Sequence, residues 1–395
     1  MACSLWAAGE KVFSRSIKYH RPRGPFCFSG ACAQCLMRVD GVPNVHTCRT
    51  PAAPGMRLER QNAFPSAKLD LFGLTDWLFP RGMNHHEMFA GVPIAEQVMQ
   101  KVARQLAGLG QLPDREGPPR QPAERLEIDT VVVGAGASGL AAAEVLAASQ
   151  VPHLVLERDV EPGGRLISGP PEDHVPAPAA PPAGSTRLAT VALGVFEEPN
   201  GHFLAAASAE RLLTVHAKRF LFCNGGQPQL LAFENNDLPG VMAARAVSAM
   251  IRRHRLLPGK RIAVVGDAAE AQAIAALIRV AGGEPVAVGG KPVRAHGNAE
   301  LSALTVVLEG KEEKVDCDAA ALCAPLEPAF ELARQAGAMV EWSPAHGVFT
   351  VQADADGRTR AKNVFVAGEL LGPMSAAAAA ESGRRAAKAL AGGAR

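Results

Sequence analysis

The chain has 395 residues, enough for two or three domains whose cores fold without disulfides or metals to hold them together. Hydrophobic residues make up 48% and charged residues 20%, as in ordinary globular proteins, and the net charge of +2 gives no overall indication of binding to nucleic acid or to an anionic membrane. No apolar run approaches the roughly 20 residues that span a bilayer, and the first residues lack the layout of a secretory signal, so we expect a cytoplasmic protein.

Four cysteines in the first fifty residues form the most distinctive pattern of the sequence. Three lie in CFSGACAQC and the fourth follows thirteen positions later, which gives the spacing C-x4-C-x2-C-x12-C. The first three members match the plant-type iron–sulfur spacing, and a binuclear cluster takes two pairs of thiolates. We therefore predict a [2Fe–2S] domain over residues 1–52, with Cys27, Cys32, Cys35 and Cys48 as the ligands. A tetrahedral zinc site is the alternative that four thiols leave open.

The same segment is basic, with seven lysines and arginines against two acidic residues. Such a surface can dock an acidic partner or a flavin phosphate, or it can simply be solvated, and both interpretations stay open. The remaining cysteines, Cys3, Cys223, Cys317 and Cys323, stand apart and are expected to be buried structural thiols.

Residues 53–125 have the composition of a polar connector interrupted by prolines. Within it, IAEQVMQKVARQLAGL (94–109) has apolar residues at helical spacing and predicts a helix that packs domains together. We interpret His85 and His86 as a surface or interdomain pair rather than as metal ligands.

After the connector, LEIDTVVVGAGASGLAAAEVLAASQVPHLVLERD predicts a strand, a glycine turn, a helix and a second strand. Gly134, Gly136 and Gly139 have G-x-G-x-x-G spacing directly after the first strand. The first glycine permits a tight turn, the second lets the backbone approach a pyrophosphate, and the third lets the helix pack closely on the strand. Glu157 ends the second strand, where a carboxylate can bind a ribose, so residues 126–235 are predicted to bind a dinucleotide.

Two further segments indicate which dinucleotide binds. ERDVEPGGRL follows the acidic residue, and NVFVAGE lies after a strand near the C-terminus, before an alanine-rich helix. The combination resembles the glutathione-reductase-like FAD flavoproteins, in which the late acidic residue, usually Asp, binds the ribityl chain. The resemblance implies FAD, with residues 346–395 completing its domain. The predicted FAD contacts are Gly134, Gly136, Ser138, Gly139, Glu157, Arg158, Gly164, Arg165, Gly368 and Glu369.

A second strand–turn–helix unit, KRIAVVGDAAEAQAIAALIRVAGGEPVAVGG, lies within residues 236–345. Its turn keeps only Gly266, because Ala268 and Ala271 stand where the other glycines would be, and a Cβ at the second position obstructs a pyrophosphate. No carboxylate closes the strand EPVAV. We therefore predict a retained NAD(P)-binding-like domain that does not bind NAD(P)H.

Three segments are similar to a known family. They are SRSIKYHRPRG (14–24), NAFPSAKLDLFGLTDWLFPRGMNHHEMF (62–89) and FENNDLPGVMAARAVSAMI (233–251). They resemble the α subunit of heterotetrameric sarcosine oxidase and the related large subunits of opine oxidase, hydrogen cyanide synthase and the dye-linked proline and hydroxyproline dehydrogenases. The similarity runs over nearly the whole chain, and FENNDLPGVM is specific to that group.

The resemblance implies an α/β fold: a doubly wound, glutathione-reductase-like flavoprotein with two dinucleotide domains, preceded by a small [2Fe–2S] ferredoxin-like domain. It also implies a heteromeric oxidoreductase in which a separate flavoprotein β subunit oxidises a CH–NH or CH–NH2 donor. The donors in the family are sarcosine, proline, hydroxyproline, opines and glycine. The α subunit, with further small subunits in some members, then carries the electrons onward. No nucleic-acid partner is implied.

The sequence departs from the family in four ways, and each sets an expectation. It begins inside the ferredoxin-like domain, so we expect that domain to be partly truncated, without its first hairpin. It lacks the folate-binding-like half of sarcosine oxidase α, which argues against demethylation coupled to tetrahydrofolate. The region from Ile167 to Arg187 is short, and CNGGQPQ (223–229) stands where the family has an Ala-Thr-Gly turn.

No arrangement of residues predicts a self-sufficient catalytic site, so we assign no catalytic residue. Electron transfer between FAD and a [2Fe–2S] cluster is therefore the favoured function. Two alternatives stay open: a reductase that acts alone with NAD(P)H and FAD, and a subunit that has lost its redox role and serves assembly.

Overall fold

A computed structural model of the chain describes residues 1–16, 19–63, 65–71, 122–170, 185–199 and 201–392. The predicted helix over 94–109 and the pair His85 and His86 lie outside these residues. The chain divides into two compact units, one formed by Met1–Gly117 with Leu230–Ala324 and the other by Pro118–Gln229 with Pro325–Arg395. None of the described helices is both long enough and apolar enough to cross a membrane.

In chain order, the described α-helices are α1 (Ala2–Ala7), α2 (Ala137–Ala148), α3 (Arg165–Ser168), α4 (Ala244–Arg252), α5 (Ala268–Val280), α6 (Glu331–Gln335) and α7 (Ala376–Gly392). The strands are β1 (Ser14–Arg15), β2 (Pro22–Arg23), β3 (Leu36–Val39), β4 (Val42–His46), β5 (Leu58–Glu59), β6 (Ala123–Val133), β7 (His153–Leu156), β8 (Thr186–Arg187), β9 (Val191–Glu198), β10 (Gly201–Ala207), β11 (Leu212–Phe222), β12 (Gly226–Pro228), β13 (Val241–Ala243), β14 (Arg261–Gly266), β15 (Glu284–His296), β16 (Ala303–Leu308), β17 (Lys311–Asp316), β18 (Ala319–Cys323), β19 (Leu326–Pro328), β20 (Val340–Ser343), β21 (Val348–Val351) and β22 (Val364–Val366). A 3-10 helix spans Gly368–Leu371.

The unit that contains Gly134 is built on a seven-stranded sheet. Its strand order is β8-β7-β6-β11-β10-β9, with β22 pairing β11 as well. Strands β8, β7, β6, β11 and β22 run parallel, and β10 and β9 extend the sheet antiparallel. The apolar runs at the ends of β6 and β7 are buried, as expected for parallel strands covered on both faces.

Helices α2 and α7 cover one face of this sheet. Alanines from both helices form a buried cluster with Val132, Val155 and Leu221. The close approach depends on Gly383, because a Cβ there would come within 2.0 Å of the Ser138 carbonyl oxygen. The helices therefore hold the glycine turn that precedes α2 firmly against the sheet.

The other unit contains a six-stranded sheet in the order β13-β18-β14-β15-β16-β17. It is parallel from β13 to β15 and antiparallel from there to β17. The strand predicted at EPVAV is longer than expected: β15 continues to His296 past an irregularity at Ala287, whose φ is +51°. The continuation lets β15 pair with β16 as a meander.

Within that same unit, the cysteine-containing segment (residues 1–52) packs on the second sheet. The Trp6 side chain is buried beside Met242, Val247 and Ile262, and burial of such a side chain contributes roughly 2–3 kcal/mol. Its indole N–H donates a 2.9 Å hydrogen bond to the Pro258 carbonyl oxygen.

An ion pair reinforces the packing. The Arg21 guanidinium donates to the two carboxylate oxygens of Asp237 at 2.6 and 2.7 Å and to Asn235 Oδ1 at 3.0 Å. Asp237 and Asn235 belong to FENNDLPGVM (233–242), so that segment contacts the cysteine-containing segment.

Candidate cofactor-binding sites

The four cysteines that the sequence singles out come together in one unit. Cys27 and Cys35 are buried, whereas Cys32 and Cys48 are partly exposed, and all four are free thiols. The thiols interact as Cys27 with Cys32 and Cys35 with Cys48, and Cys27 also contacts Cys48. Thr47 holds the two segments together, because its Oγ1 donates a 2.7 Å hydrogen bond to the Cys35 carbonyl oxygen.

Hydrogen bonds among these four thiols lower the pKa values of two of them and raise the pKa values of the other two. Hydrogen bonds from Cys32 and Cys48 hold the pKa of Cys27 well below its ordinary value. The hydrogen bond from Cys48 lowers the pKa of Cys35 to about 6, against the opposing effect of burial. The pKa values of Cys32 and Cys48 are raised, in both cases first by the hydrogen bond to Cys27.

The four thiols form one connected group, in which Cys27 interacts with Cys32 and Cys48, and Cys48 also interacts with Cys35. A [2Fe–2S] cluster needs a pair of thiolates for each iron, and four neighbouring thiols can supply them. The Ser29 amide also donates to the Cys27 sulfur at 3.4 Å, as backbone amides do around iron–sulfur clusters.

The predicted dinucleotide motifs lie at the carboxyl end of the parallel sheet in the other unit. Gly134 follows β6, Glu157 follows β7, Cys223 follows β11 and Gly368 lies two residues past β22. Because parallel strands present their carboxyl ends at one edge, the fold brings together residues more than 200 positions apart.

Each glycine of the turn has a separate structural reason. Gly134 has φ +100°, and a Cβ there would lie 2.4 Å from the Cys223 carbonyl oxygen. A Cβ on Gly139 would lie 1.8 Å from the Gly134 carbonyl oxygen. Gly136 differs, because no heavy atom lies within 4 Å of the position that its Cβ would occupy. This glycine therefore faces open space at the start of α2, where a pyrophosphate would approach the backbone.

The segment that follows Glu157 folds against the turn. The Gly163 amide donates to the Ala135 carbonyl oxygen at 2.8 Å, and a Cβ on Gly164 would lie 3.3 Å from the Gly136 Cα. Gly164 has φ +48° and caps α3, which begins with Arg165. The glycine turn before α2 and the glycine turn before α3 thus border the same space, which we call the glycine cradle. Side chains in place of Gly136 and Gly164 would fill that space.

Glu157 is buried and its carboxylate joins the two turns. Oε2 accepts the Ala135 amide at 2.6 Å, and Oε1 accepts the Asp159 amide at 2.8 Å. A carboxylate is also the type of acceptor that binds a ribose hydroxyl. The neighbouring Arg158 is exposed.

Glu369 is paired with Arg165 across 204 positions of the chain. Its Oε1 accepts from Arg165 Nη1 at 2.8 Å, and its Oε2 accepts the Gly226 amide at 3.1 Å. Arg165 also donates to the Met374 carbonyl oxygen at 2.7 Å. The carboxylate predicted to bind a ribityl chain therefore also ties together three segments of the sheet edge.

Ser138 and Gly368 meet beside this group. A Cβ on Gly368 would lie 2.7 Å from Ser138 Oγ, and the Gly368 amide donates to Ser382 Oγ at 3.2 Å. Ser138 also hydrogen-bonds the Cys223 thiol, whose pKa burial raises to about 12. Ser138 thus supports the edge from inside the protein.

The structure adds a residue that the sequence analysis did not list. Asn224 lies in the turn after β11, where its Nδ2 donates to the Ala329 carbonyl oxygen at 3.0 Å. Its Oδ1 is buried and has no partner among the described residues. Asn224 is the second residue after the central parallel strand β11, and this position could have pointed to it, but the sequence analysis did not recognise CNGG as a binding turn.

The second dinucleotide-like turn is closed by its own side chains. Gly266 keeps the tight turn, with φ +110° and a Cβ position only 2.1 Å from the Cys323 carbonyl oxygen. The Asp267 carboxylate then caps α5 by accepting the Glu270 amide at 3.0 Å. Because a carboxylate already satisfies this helix N-terminus, a pyrophosphate would meet like charge there as well as the Ala268 methyl group.

The thiols outside the cluster loop differ in exposure. Cys223, Cys317 and Cys323 are buried, as expected, whereas Cys3 is partly exposed. Burial raises the pKa of Cys317 to about 12 and that of Cys3 to about 11.

Comparison with known proteins gives a family match over each of the two motif-containing segments. Residues 1–63 match the family described as a 2Fe-2S iron-sulfur cluster binding domain, and residues 121–171 match the Thi4 family. The first match contains all four cysteines and confirms the [2Fe–2S] domain over the zinc alternative. The second contains both glycine turns and Glu157.

One curated relative matches most of the chain. Sarcosine oxidase subunit alpha of Rhizobium meliloti (strain 1021) is 27% identical over 397 aligned positions, which cover 88% of this chain and 40% of the relative. The chain thus spans less than half the length of that protein.

Solved structures confirm the predicted fold class. L-proline dehydrogenase from P. horikoshii superposes with a TM-score of 0.72 at 19% identity, over 97% of this chain and 68% of that chain. Thioredoxin reductase from T. acidophilum superposes with a TM-score of 0.51 at 16% identity, over 68% of this chain and 99% of that chain. The chain is therefore similar to the sarcosine oxidase α subunits over most of its length, with an N-terminal match to a 2Fe-2S iron-sulfur cluster binding domain and a fold shared with L-proline dehydrogenase and thioredoxin reductase.

Proposed function

We propose that this chain is the electron-transfer subunit of a heteromeric amino- or imino-acid oxidoreductase. It would bind FAD at the edge that contains Gly136 and a [2Fe–2S] cluster at Cys27, Cys32, Cys35 and Cys48. The substrate would be oxidised in a partner flavoprotein β subunit. One observation carries the proposal: a single chain holds a loop of paired thiols and a sheet edge with an open glycine cradle.

The chemistry of the two groups is complementary. Bound FAD can accept two electrons and release them singly, which suits a one-electron iron–sulfur cluster. The chain's own residues would hold both groups in place: the four neighbouring thiols would bind iron as thiolates, releasing their protons on binding, and Gly136 exposes backbone to the pyrophosphate.

Two carboxylates would orient the flavin nucleotide. Glu157, which lies at the end of β7 beside the glycine turn, would accept a hydrogen bond from the adenosine ribose. Glu369 would face the ribityl chain while Arg165 and the Gly226 amide fix its position. Arg158, Ser138, Gly164 and Gly368 would complete the binding edge.

The names of the relatives favour a substrate class. Sarcosine and proline are both secondary amines in which a carbon next to nitrogen loses hydride. We therefore place the substrate of the complex among CH–NH donors, with CH–NH2 donors such as glycine as the wider class. The pocket for it would belong to the partner subunit.

The first experiment is an anaerobic absorption spectrum of the purified chain before and after dithionite, with iron, sulfide and zinc analysis. We expect flavin bands and a broad iron–sulfur envelope that both bleach, with iron and sulfide in equal amounts. Flavin without iron would refute electron transfer through a cluster, and a colourless protein would refute the whole proposal.

Two matched variants separate the cluster from general folding. Cys35→Ser should lose iron and keep flavin, whereas Cys317→Ser, which changes a buried thiol outside the loop, should keep both. Sarcosine or proline should leave the flavin of the isolated chain oxidised and should reduce it in the complex purified with its partner. Reduction by the isolated chain would overturn the role as a subunit.

A further inference from the structure

Buried polar atoms without partners surround the cysteine loop. Ser29 Oγ, Gln34 Oε1 and His46 Nδ1 are buried, and none has a hydrogen-bond partner among the described residues. Each lies within two positions of a cysteine of the predicted cluster. Because buried polar groups are nearly always paired, three such atoms beside four thiols indicate that a bound group completes their bonding.

The chemistry of a cluster distinguishes among the three atoms. Its sulfur atoms only accept hydrogen bonds, so a donor is required. A serine hydroxyl is always able to donate, whereas a side-chain carbonyl oxygen only accepts and an imidazole Nδ1 donates in one tautomer only. Of the three side chains, Ser29 is therefore the one that can always donate a hydrogen bond to a sulfur atom of the cluster.

The position of Ser29 agrees with this role. Its amide already donates to the Cys27 sulfur at 3.4 Å, and its hydroxyl lies close enough to that sulfur to lower the pKa of Cys27, although the two atoms do not meet the geometry of a hydrogen bond. The hydroxyl therefore lies on the sulfur side of the loop. The next residue, Gly30, has φ +73°, and a Cβ there would lie 3.0 Å from the Arg49 side chain. The tight turn at Gly30 keeps residue 29 beside the thiols.

We propose that the Ser29 hydroxyl donates a hydrogen bond to a sulfur atom of the [2Fe–2S] cluster and raises the reduction potential of that cluster. Reduction adds one electron and hence one negative charge to the sulfur and iron atoms. A donor aimed at the sulfur stabilises the reduced form more than the oxidised form, and the effect is larger in a buried site of low dielectric. Ser29 is thus a positioning and tuning residue whose role rests on the proposed [2Fe–2S] function.

The inference predicts a shift in potential without loss of the cluster. Removing one neutral hydrogen bond should lower the ratio of reduced to oxidised cluster at the wild-type midpoint potential roughly three- to tenfold, where a tenfold change is about 59 mV for one electron. The equilibrium constant for electron transfer from FAD to the cluster should fall by the same factor.

The test is a redox titration followed by electron paramagnetic resonance on the full-length chain. Dithionite and mediators supply the electron, and iron and sulfide are measured on every sample. Ser29→Ala should have the lower potential, and Ser29→Thr, which restores a hydroxyl, should return towards wild type. Ser4→Ala makes the same change at an exposed position of α1 and should leave the potential unchanged.

Each outcome decides between named alternatives. Equal potentials in Ser29→Ala and wild type would overturn the inference, whereas absence of iron from the wild-type chain would instead overturn the proposed function. Loss of iron from Ser29→Ala, with the apoprotein keeping the wild-type circular dichroism, would also overturn the inference, because a hydroxyl that only tunes the potential leaves the four thiolate ligands in place.

Discussion

Substituting Gly136 should separate FAD binding from folding. The residue has φ −79° and ψ −166°, a conformation that alanine adopts without strain. No heavy atom lies within 4 Å of its Cβ position, so the added methyl group meets no protein atom. It would instead occupy the space beside Gly164 that we assign to the pyrophosphate. Gly136→Ala should therefore fold normally and bind FAD poorly.

The two effects differ in expected size. At a helix N-cap, exchange of glycine for alanine changes stability by about 1 kcal/mol or less, so the unfolding of the apoprotein should shift little. A hydrogen bond from a backbone amide to a charged phosphate contributes about 1.5–3 kcal/mol, and its loss should raise the Kd for FAD about tenfold to 150-fold.

The assay is titration of apoprotein with FAD, followed by the change in flavin fluorescence, together with urea unfolding of each apoprotein. Gly392→Ala is the matched control, because its Cβ position is also open but lies at the end of α7. Gly139→Ala should fail differently, by destabilising the fold, since its Cβ would overlap the Gly134 carbonyl oxygen. Wild-type FAD affinity in Gly136→Ala would refute our placement of the pyrophosphate.

Three further outcomes follow from the geometry. Anaerobic NADH or NADPH should leave the flavin oxidised, because the Asp267 carboxylate caps the second helix; rapid bleaching would contradict this. A double-mutant cycle of Arg21→Ala with Asp237→Ala should give a coupling of at most about 1 kcal/mol in urea unfolding, since both side chains are about a third exposed. Burial raises the pKa values of Cys223 and Cys317 to about 12, so unfolding monitored from pH 9 to 12 should become easier as pH rises, because the unfolded chain releases these protons first. A flat profile would contradict that burial.

The residues at the carboxyl edge of the parallel sheet could be predicted because each motif is short and lies directly after its strand in the sequence. Each motif follows an apolar strand directly, and parallel strands must align their carboxyl ends, so Gly134, Glu157 and Gly368 had to meet once the strands were recognised. The cysteine spacing is local in the same way, since Cys27, Cys32 and Cys35 lie on one short loop.

Other features depend on contacts that no local pattern encodes. The pairing of Arg165 with Glu369 joins positions 204 residues apart and appears only when α3 and β22 are placed. Nothing in the sequence singles out Ser29 or Asn224. Only the structure shows that Ser29 Oγ and Asn224 Oδ1 are buried without a hydrogen-bond partner of standard geometry among the described residues. The length of β15 was missed because a positive φ at Ala287, a residue that rarely adopts it, carries the chain through an irregularity.

The second dinucleotide-like domain has a structural use that does not require a nucleotide. Its turn is closed by Asp267 and Ala268, yet its sheet is intact and buries Trp6 of the cysteine-containing segment. The Ala243 amide, at the end of β13, donates to the Phe26 carbonyl oxygen at 3.1 Å, one residue before Cys27. Loss of a ligand removes selection on the glycines of a turn but not on the packing surface around it. The domain can therefore lose its nucleotide site and still support the loop that holds the thiols.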